Sequence, residues 1–443
     1  MTSASTPFTA NRVLAAEPAE QRLLREHLRG MPFNWTPEWV SGPVLLAPAA
    51  YEEICSVAVR TIRILEKSFL SLGSNSPERA RRLGVDWDAY RAANPYFLSE
   101  DLEQRWSAAI ARPDLVFSGT GIKVLEANIG SALGGVVQCD LLRSFWEERP
   151  ELAFSASEPK VMDGVARFML EFSGATGVAP RTAILGLPEY YDPGMRGSYR
   201  FEAAALRARG IDAEAVDPDQ LVAHLNAESG LPWPVALRRN RPARWDKSSL
   251  GSGPLQRLVK RGCHVLCPQS SFLMADKRLL AFVSAGLVQL DEHEQRFAGR
   301  YIPWTRLIRP GPVEYEGDVR PMEHLLLLRQ SAFVLKRGPG HGGIEVIVGR
   351  EHTPSGWESS VRAALSGGDW IAQEFQDVMP AMLPVATDCG SAGSREFSVV
   401  LSPFVVLGRA YGCVTRSVKA EGGAVVSTTA GAMANVALPS TTA

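Results

Sequence analysis

Residues 333–349, FVLKRGPGHGGIEVIVG, decide the reading of this chain. A short apolar run, Phe333-Val334-Leu335, ends in Lys336. A glycine-rich segment follows, from Gly338 to Gly343, and an apolar, β-branched run closes the stretch. The pattern predicts strand, glycine-rich loop, strand, with a lysine at the end of the first strand. Glycine lets backbone N–H groups approach an anion, and lysine adds a mobile positive charge. Taken alone, the same pattern also describes a plain β-hairpin with a loose turn. Its companions in the chain decide between the two.

Downstream, residues 354–365 predict an amphipathic helix. Residues 370–375, WIAQEF, predict a strand carrying Gln373 and Glu374. Residues 395–400, 404–407 and 411–415 predict antiparallel strands that end at Arg416, and residues 434–443 are expected to fray. Upstream, ADKRLLAFVSA at 275–285 predicts a helix opening with Asp276 and Lys277. Residues 301–308 read as a loop. Residues 182–267 alternate four strands with three helices, which predicts a small α/β domain on a parallel sheet. No G-x-G-x-x-G follows its first strand, so a nicotinamide-binding fold is disfavoured. Nearer the start, residues 21–29, 49–72 and 102–111 predict helices. In the second of these, Ile54, Val57, Ala58, Ile62, Leu65 and Phe69 form one apolar face.

The chain has 443 residues, 45% hydrophobic and 21% charged, with a net charge of −1. That allows two or three domains with sizeable cores. No basic surface announces nucleic acid, and no apolar run approaches the ~20 residues that span a bilayer. Residues to Phe8 are expected to be disordered, without a signal-peptide pattern, and the expected location is cytoplasmic. The six cysteines are scattered. Cys263 and Cys267 form the one close pair; without further ligands nearby, core packing is the expectation for Cys267 and zinc is not.

Carboxylates supply the next signal. In ARPDLVFSGTGIKVLEANIGSALGG, residues 115–117 and 122–125 predict two strands around a Ser118–Gly121 turn. Asp114 precedes the first strand, and Glu126 and Asn128 end the second on one face. Oxygen donors so placed suit a hard cation such as magnesium. The plainer alternative is a solvated charge at Glu126 and a turn former at Asn128. Lys277 likewise reads as a phosphate contact or as an ordinary surface lysine. Glu374 reads as a ribose contact or an exposed acid, and His341 as a phosphate contact or a solvated loop residue. Arg416 has the geometry to hold a phosphate or carboxylate bidentately.

Together these residues resemble the ATP-grasp family. Lys277, Lys336, the glycine loop and WIAQEF follow that family's order. Asp114, Glu126 and Asn128 look like its metal-ligand set, but here they precede the lysines. That order resembles the circularly permuted branch containing eukaryotic glutathione synthetase and glutathionylspermidine synthase-like proteins. LEANIGSALGG is similar to the glutathione synthetase element E-x-N-x-I-S-x-S-F-G-G, and VLGRAYGCVTRS to the region around its substrate-binding arginine, matching Arg416. The resemblance spans residues 114–433. It departs at Gly340, where eukaryotic glutathione synthetase carries an acidic metal ligand. Asp114 is therefore taken as the third ligand, with Glu345 in reserve.

The resemblance implies an α/β ATP-grasp fold, circularly permuted. Residues 1–175 would hold the N-terminal helices and metal strands, 176–268 the small substrate domain, and 269–443 the nucleotide elements. It implies an ATP- and Mg2+-dependent ligase joining a carboxylate to an amine through an acyl phosphate. The substrates would be small amino acids or peptides, in a γ-glutamyl or dipeptide ligase of secondary metabolism, with homodimerisation left open. Lys336 and Arg416 would be catalytic. Lys277, Lys336, Gly340, His341, Gly342, Gly343, Gln373 and Glu374 would hold ATP; Ser131, Gly134, Gly135 and Arg416 would hold substrate. The rivals are a non-catalytic nucleotide-binding regulator and an ATP-dependent phosphotransferase.

Overall fold

Two long strands, Gly390–Val406 and Arg409–Lys419, form the spine of the molecule. They are joined by a two-residue turn at Leu407 and Gly408, both at positive φ, as a tight hairpin requires. This computed structural model describes residues 7–9, 38–94, 96–149, 154–155, 159–186, 193–240, 253–340, 345–387, 390–420 and 431–441, with Trp245, Lys247, Gly251 and Val426. Along one edge of Gly390–Val406, Pro380–Thr387 pairs as far as Ser398. The hairpin of Ile110–Ser118 and Gly121–Ile129 takes over that edge from Leu401 onward. Met433–Pro439 and Val44–Leu46 extend the sheet on the other side, and Glu38–Val40 closes the far edge.

The helix Pro48–Ser71 lies on one face of this sheet. All six residues of its expected apolar face are buried in the same core as Leu115, Val399 and Leu401. Val136–Glu147 and Val161–Thr176 cover the other face, around Trp106, Phe168 and Phe172. The small sheet has the order Asp212–Val216, Arg181–Leu185, Val235–Arg238, His264–Leu266, and every pair is parallel, as the alternation predicted. A third, antiparallel sheet orders Val346–Val348, Phe333–Arg337, Trp370–Glu374 and Thr305–Leu307. The helix Pro354–Gly367 packs Trp357, Val361 and Ala364 behind it.

Several local expectations are corrected. The helix expected over 102–111 stops at Arg105, because Ile110 and Ala111 are fully buried in the main sheet; packing overrides helical pattern there. The strands expected at 395–400 and 404–407 are one strand, with a register shift between Pro403 and Phe404. A proline has no N–H for the ladder, so it falls at the irregularity rather than ending the strand. The tail expected to fray contributes Met433–Pro439, paired on both sides. Thr305–Leu307 is a strand inside the expected 301–308 loop. Phe8 bridges Leu46 and meets Phe117 edge-on, with ring centroids 5.5 Å apart. The helix expected at 21–29 lies outside the described residues.

Candidate functional site

The hairpin Ile110–Ser118/Gly121–Ile129 sets the chemistry. Its strands run nine residues each, so Asp114, Glu126 and Asn128 lie within them, not at the open strand ends expected. Polar residues look like strand ends in a sequence; here they are held mid-strand because they pair with one another and with basic partners. Asp114 stands opposite Glu126, yet the next pair is Leu115 with Val124. Leu125 is thus an extra residue, a bulge that kinks the strand and turns its carbonyl out of the ladder.

Around this bulge, eight of the expected residues meet. Asn128 Nδ2 donates to Asp114 Oδ2 at 3.2 Å and to Glu126 Oε1 at 3.4 Å. Arg416 Nη2 lies 2.5 Å from Asp114 Oδ2, and the Ser402 hydroxyl donates to Asp114 Oδ1 at 2.7 Å. Lys277 Nζ is 3.4 Å from Glu126 Oε2 and donates to the Gly340 carbonyl. Lys336 Nζ donates to Gln373 Oε1 at 2.6 Å and to the Leu125 carbonyl at 3.1 Å. Burial alone would raise the Glu126 carboxyl, but Lys277 and Lys336 hold it well below the usual carboxylate range. Burial pushes Lys336 down to about 8, with Glu126 opposing and Lys277 assisting. Arg416 is raised: its ion pair with Asp114 outweighs burial.

Asp114, Glu126, Lys336, Gln373 and Arg416 line a cleft whose other wall is apolar, formed by Val334, Val346, Val348 and Phe375. Glu374 lies on its rim, accepting from the Tyr315 hydroxyl at 3.2 Å and from Gln376. His341, Gly342 and Gly343 lie outside the described residues. Glu345, the reserve ligand, is ion-paired with Arg337 at 2.6 Å and does not line the cleft. Ser131 is fully buried; its hydroxyl bonds the Arg238 and Leu266 carbonyls, which fastens the hairpin to the parallel sheet. Gly134 accepts from Arg112 through its carbonyl, and Gly135, at positive φ, opens Val136–Glu147.

Two residues that sequence reasoning missed complete the cluster. Ser402 is the polar break in an apolar strand. Arg112 sits two residues before Asp114, hence on the same face, and that spacing was the available signal. Burial lowers Arg112, against the pull of Asp114. Among the described residues, neither Arg112 Nε nor Arg416 Nε has an acceptor. Two carboxylates thus face four cations: Arg112, Lys277, Lys336 and Arg416. Among the described residues no three Asp, Glu, His or Cys side chains converge on one point, so the candidate cation ligands are two carboxylates and an amide.

A second polar cluster lies at the carboxyl end of the parallel sheet. Arg239 is ion-paired with Glu202 and donates to the Ser131 carbonyl at 2.8 Å. Arg238 is 0% exposed, packs over the Phe272 ring and donates to the Asn240 carbonyl. Among the described residues its Nε and Nη2 have no acceptor, and neither polar atom of the buried Gln269 has a partner. Burial holds the neighbouring Cys267 thiol up at about 12, so it carries no charge to Arg238.

Neither protein-family models nor curated proteins match this chain. Among solved structures it is similar to a glutathione synthetase-like effector from Globodera pallida, in its apo form. The identity is 11%, the TM-score 0.53, and the match covers 97% of this chain and 98% of that one. A likeness this distant in sequence speaks to architecture. The chain has a mixed α/β, glutathione synthetase-like fold.

Proposed function

We propose that this protein is an ATP-dependent ligase of circularly permuted ATP-grasp type, forming an amide between a small carboxylate substrate and the amine of an amino-acid-like partner. The observation that carries the reading is the convergence of Lys336, Lys277, Arg416, Glu126, Asp114 and Asn128 beside one apolar-walled cleft. The acidic hairpin precedes the lysines in the chain and still meets them in space, as a permuted arrangement would require.

The residues fit the groups this chemistry needs. The excess of cations, with two guanidinium N–H groups lacking acceptors among the described residues, suits a polyphosphate. Glu126, Asp114 and the Asn128 amide suit a hard divalent cation, with phosphate oxygens completing its shell. When bound, magnesium would neutralise phosphate charge. Lys336 and Lys277 would stabilise the charge that develops as a phosphoryl group moves to the substrate carboxylate. The apolar wall would take the base. Arg238, a buried cation with no counter-charge among the described residues, would take a carboxylate of the substrate.

No side-chain nucleophile is required, because the phosphorylated carboxylate is itself the electrophile. The test is ATP turnover with pooled amino acids and short peptides. ADP and phosphate should form in proportion to an amide product seen by mass spectrometry. ATP binding without turnover on any pair would favour the non-catalytic nucleotide binder, and phosphorylated product without amide would favour the phosphotransferase.

A further inference from the structure

Behind Lys336 lies a short relay of side chains whose donor and acceptor roles are all forced. Lys336 and Gln373 sit on adjacent antiparallel strands, diagonal to one another, so their side chains share a face. Gln373 is 1% exposed; its Oε1 accepts from Lys336 Nζ at 2.6 Å and its Nε2 donates to Thr305 Oγ1 at 3.1 Å. The Thr305 hydroxyl in turn donates to the Pro303 carbonyl at 2.8 Å. A carbonyl only accepts, so the Thr305 hydroxyl proton is committed and its oxygen is left to accept. An ammonium only donates, so the amide must turn its oxygen to Lys336. One orientation of Gln373 satisfies both ends.

An ammonium has three N–H donors. Gln373 holds one and the bulge carbonyl of Leu125 holds another, at 3.1 Å. Among the described residues nothing takes the third, which is left for the cleft that Lys336 lines.

We propose that Gln373 is a positioning residue: backed by Thr305, it aims the Lys336 ammonium at the phosphate groups of a nucleotide in the cleft. This rests on the nucleotide-binding part of the reading above. It replaces the direct ATP contact expected for Gln373 with an action through Lys336.

The test is calorimetric binding of ATP and of adenosine to the full chain, with thermal unfolding as a fold check. Gln373→Met should weaken ATP binding about tenfold, the scale of a hydrogen bond to a charged group. Adenosine, which lacks phosphates, should bind as before. In a Lys336→Met background, Gln373→Met should cause no further loss, since the two act as one unit. Thr305→Val should give a smaller loss of ATP affinity, and Thr305→Ser, which keeps the hydroxyl, should restore it. Unchanged ATP affinity in Gln373→Met, equal losses for ATP and adenosine, or additive losses in the double variant would each overturn the proposal. Failure of the wild-type chain to bind ATP would overturn the nucleotide reading and this proposal with it.

Discussion

Two buried clusters are linked through Ser131, which follows the acidic hairpin and bonds Arg238 and Arg239, and they are built oppositely. At the hairpin, Asp114 and Glu126 are each contacted by cations and by Asn128. At the end of the parallel sheet, Arg238 is buried and no acid among the described residues pairs with it. Charges in the first cluster largely stabilise one another; the second keeps an uncompensated cation out of water, which is costly without an anion. A cluster of the first kind holds its geometry before any ligand arrives. One of the second kind is relieved by its ligand, and so favours the chemistry that supplies a negative charge.

The largest expected effect is at the first cluster. Lys336→Ala should lower turnover roughly a thousandfold or more, on the scale of lost transition-state electrostatics, with circular dichroism unchanged. Turnover like wild type would remove Lys336 from the site. Next comes the acid series. Glu126→Gln should be the most damaging, Asp114→Asn the next, and Glu345→Gln, whose residue is ion-paired with Arg337, the least. Magnesium titrations of each variant provide the check, and a Glu345 effect exceeding that of Asp114 would mean the third ligand comes from the glycine loop.

The contrast itself is tested by two arginine substitutions of opposite sign. Arg416→Met takes from the buried Asp114 carboxylate the nearer of its two cations, leaving Arg112 at 3.9 Å, and should cost roughly 3 kcal/mol of stability. Arg238→Met removes a buried charge that no acid among the described residues pairs with, so the unliganded protein should be equally or more stable while kcat/KM for the carboxylate substrate falls. Denaturant unfolding of both variants decides it; a strong loss of stability in Arg238→Met would show that the chain itself supplies the counter-charge. The smallest effect concerns Cys267. With its thiol held up at about 12 by burial, the native protein at pH 8 should resist iodoacetamide at this position. Rapid labelling there would reveal a thiolate beside Arg238 and remove the contrast.

Much of this was legible where physical pattern and chemistry coincide. The apolar stripe of Pro48–Ser71, the parallel sheet and the strand ending in Lys336 are periodicity and burial written in residue types. What misled was polarity inside strands. Asp114, Glu126 and Asn128 look like strand ends, and Ser402-Pro403 looks like a break, because partners distant in the chain are invisible along it. Arg416 meets Asp114 across some three hundred residues, and Lys336 meets the Leu125 carbonyl across two hundred and eleven. Gln373 was legible as a site residue but not in its role, since that depends on the Thr305 hydroxyl on another strand. Arg238 gave little signal beyond a charge closing an apolar strand.

On our proposal the hairpin cluster serves phosphoryl transfer from ATP to a carboxylate. The most direct measurement is chromatographic separation of nucleotides after incubation with ATP, magnesium and amino-acid pairs. ADP and orthophosphate should form one for one with amide product and be absent in Lys336→Ala. AMP and pyrophosphate as the stoichiometric products, with the same amide formed, would contradict it.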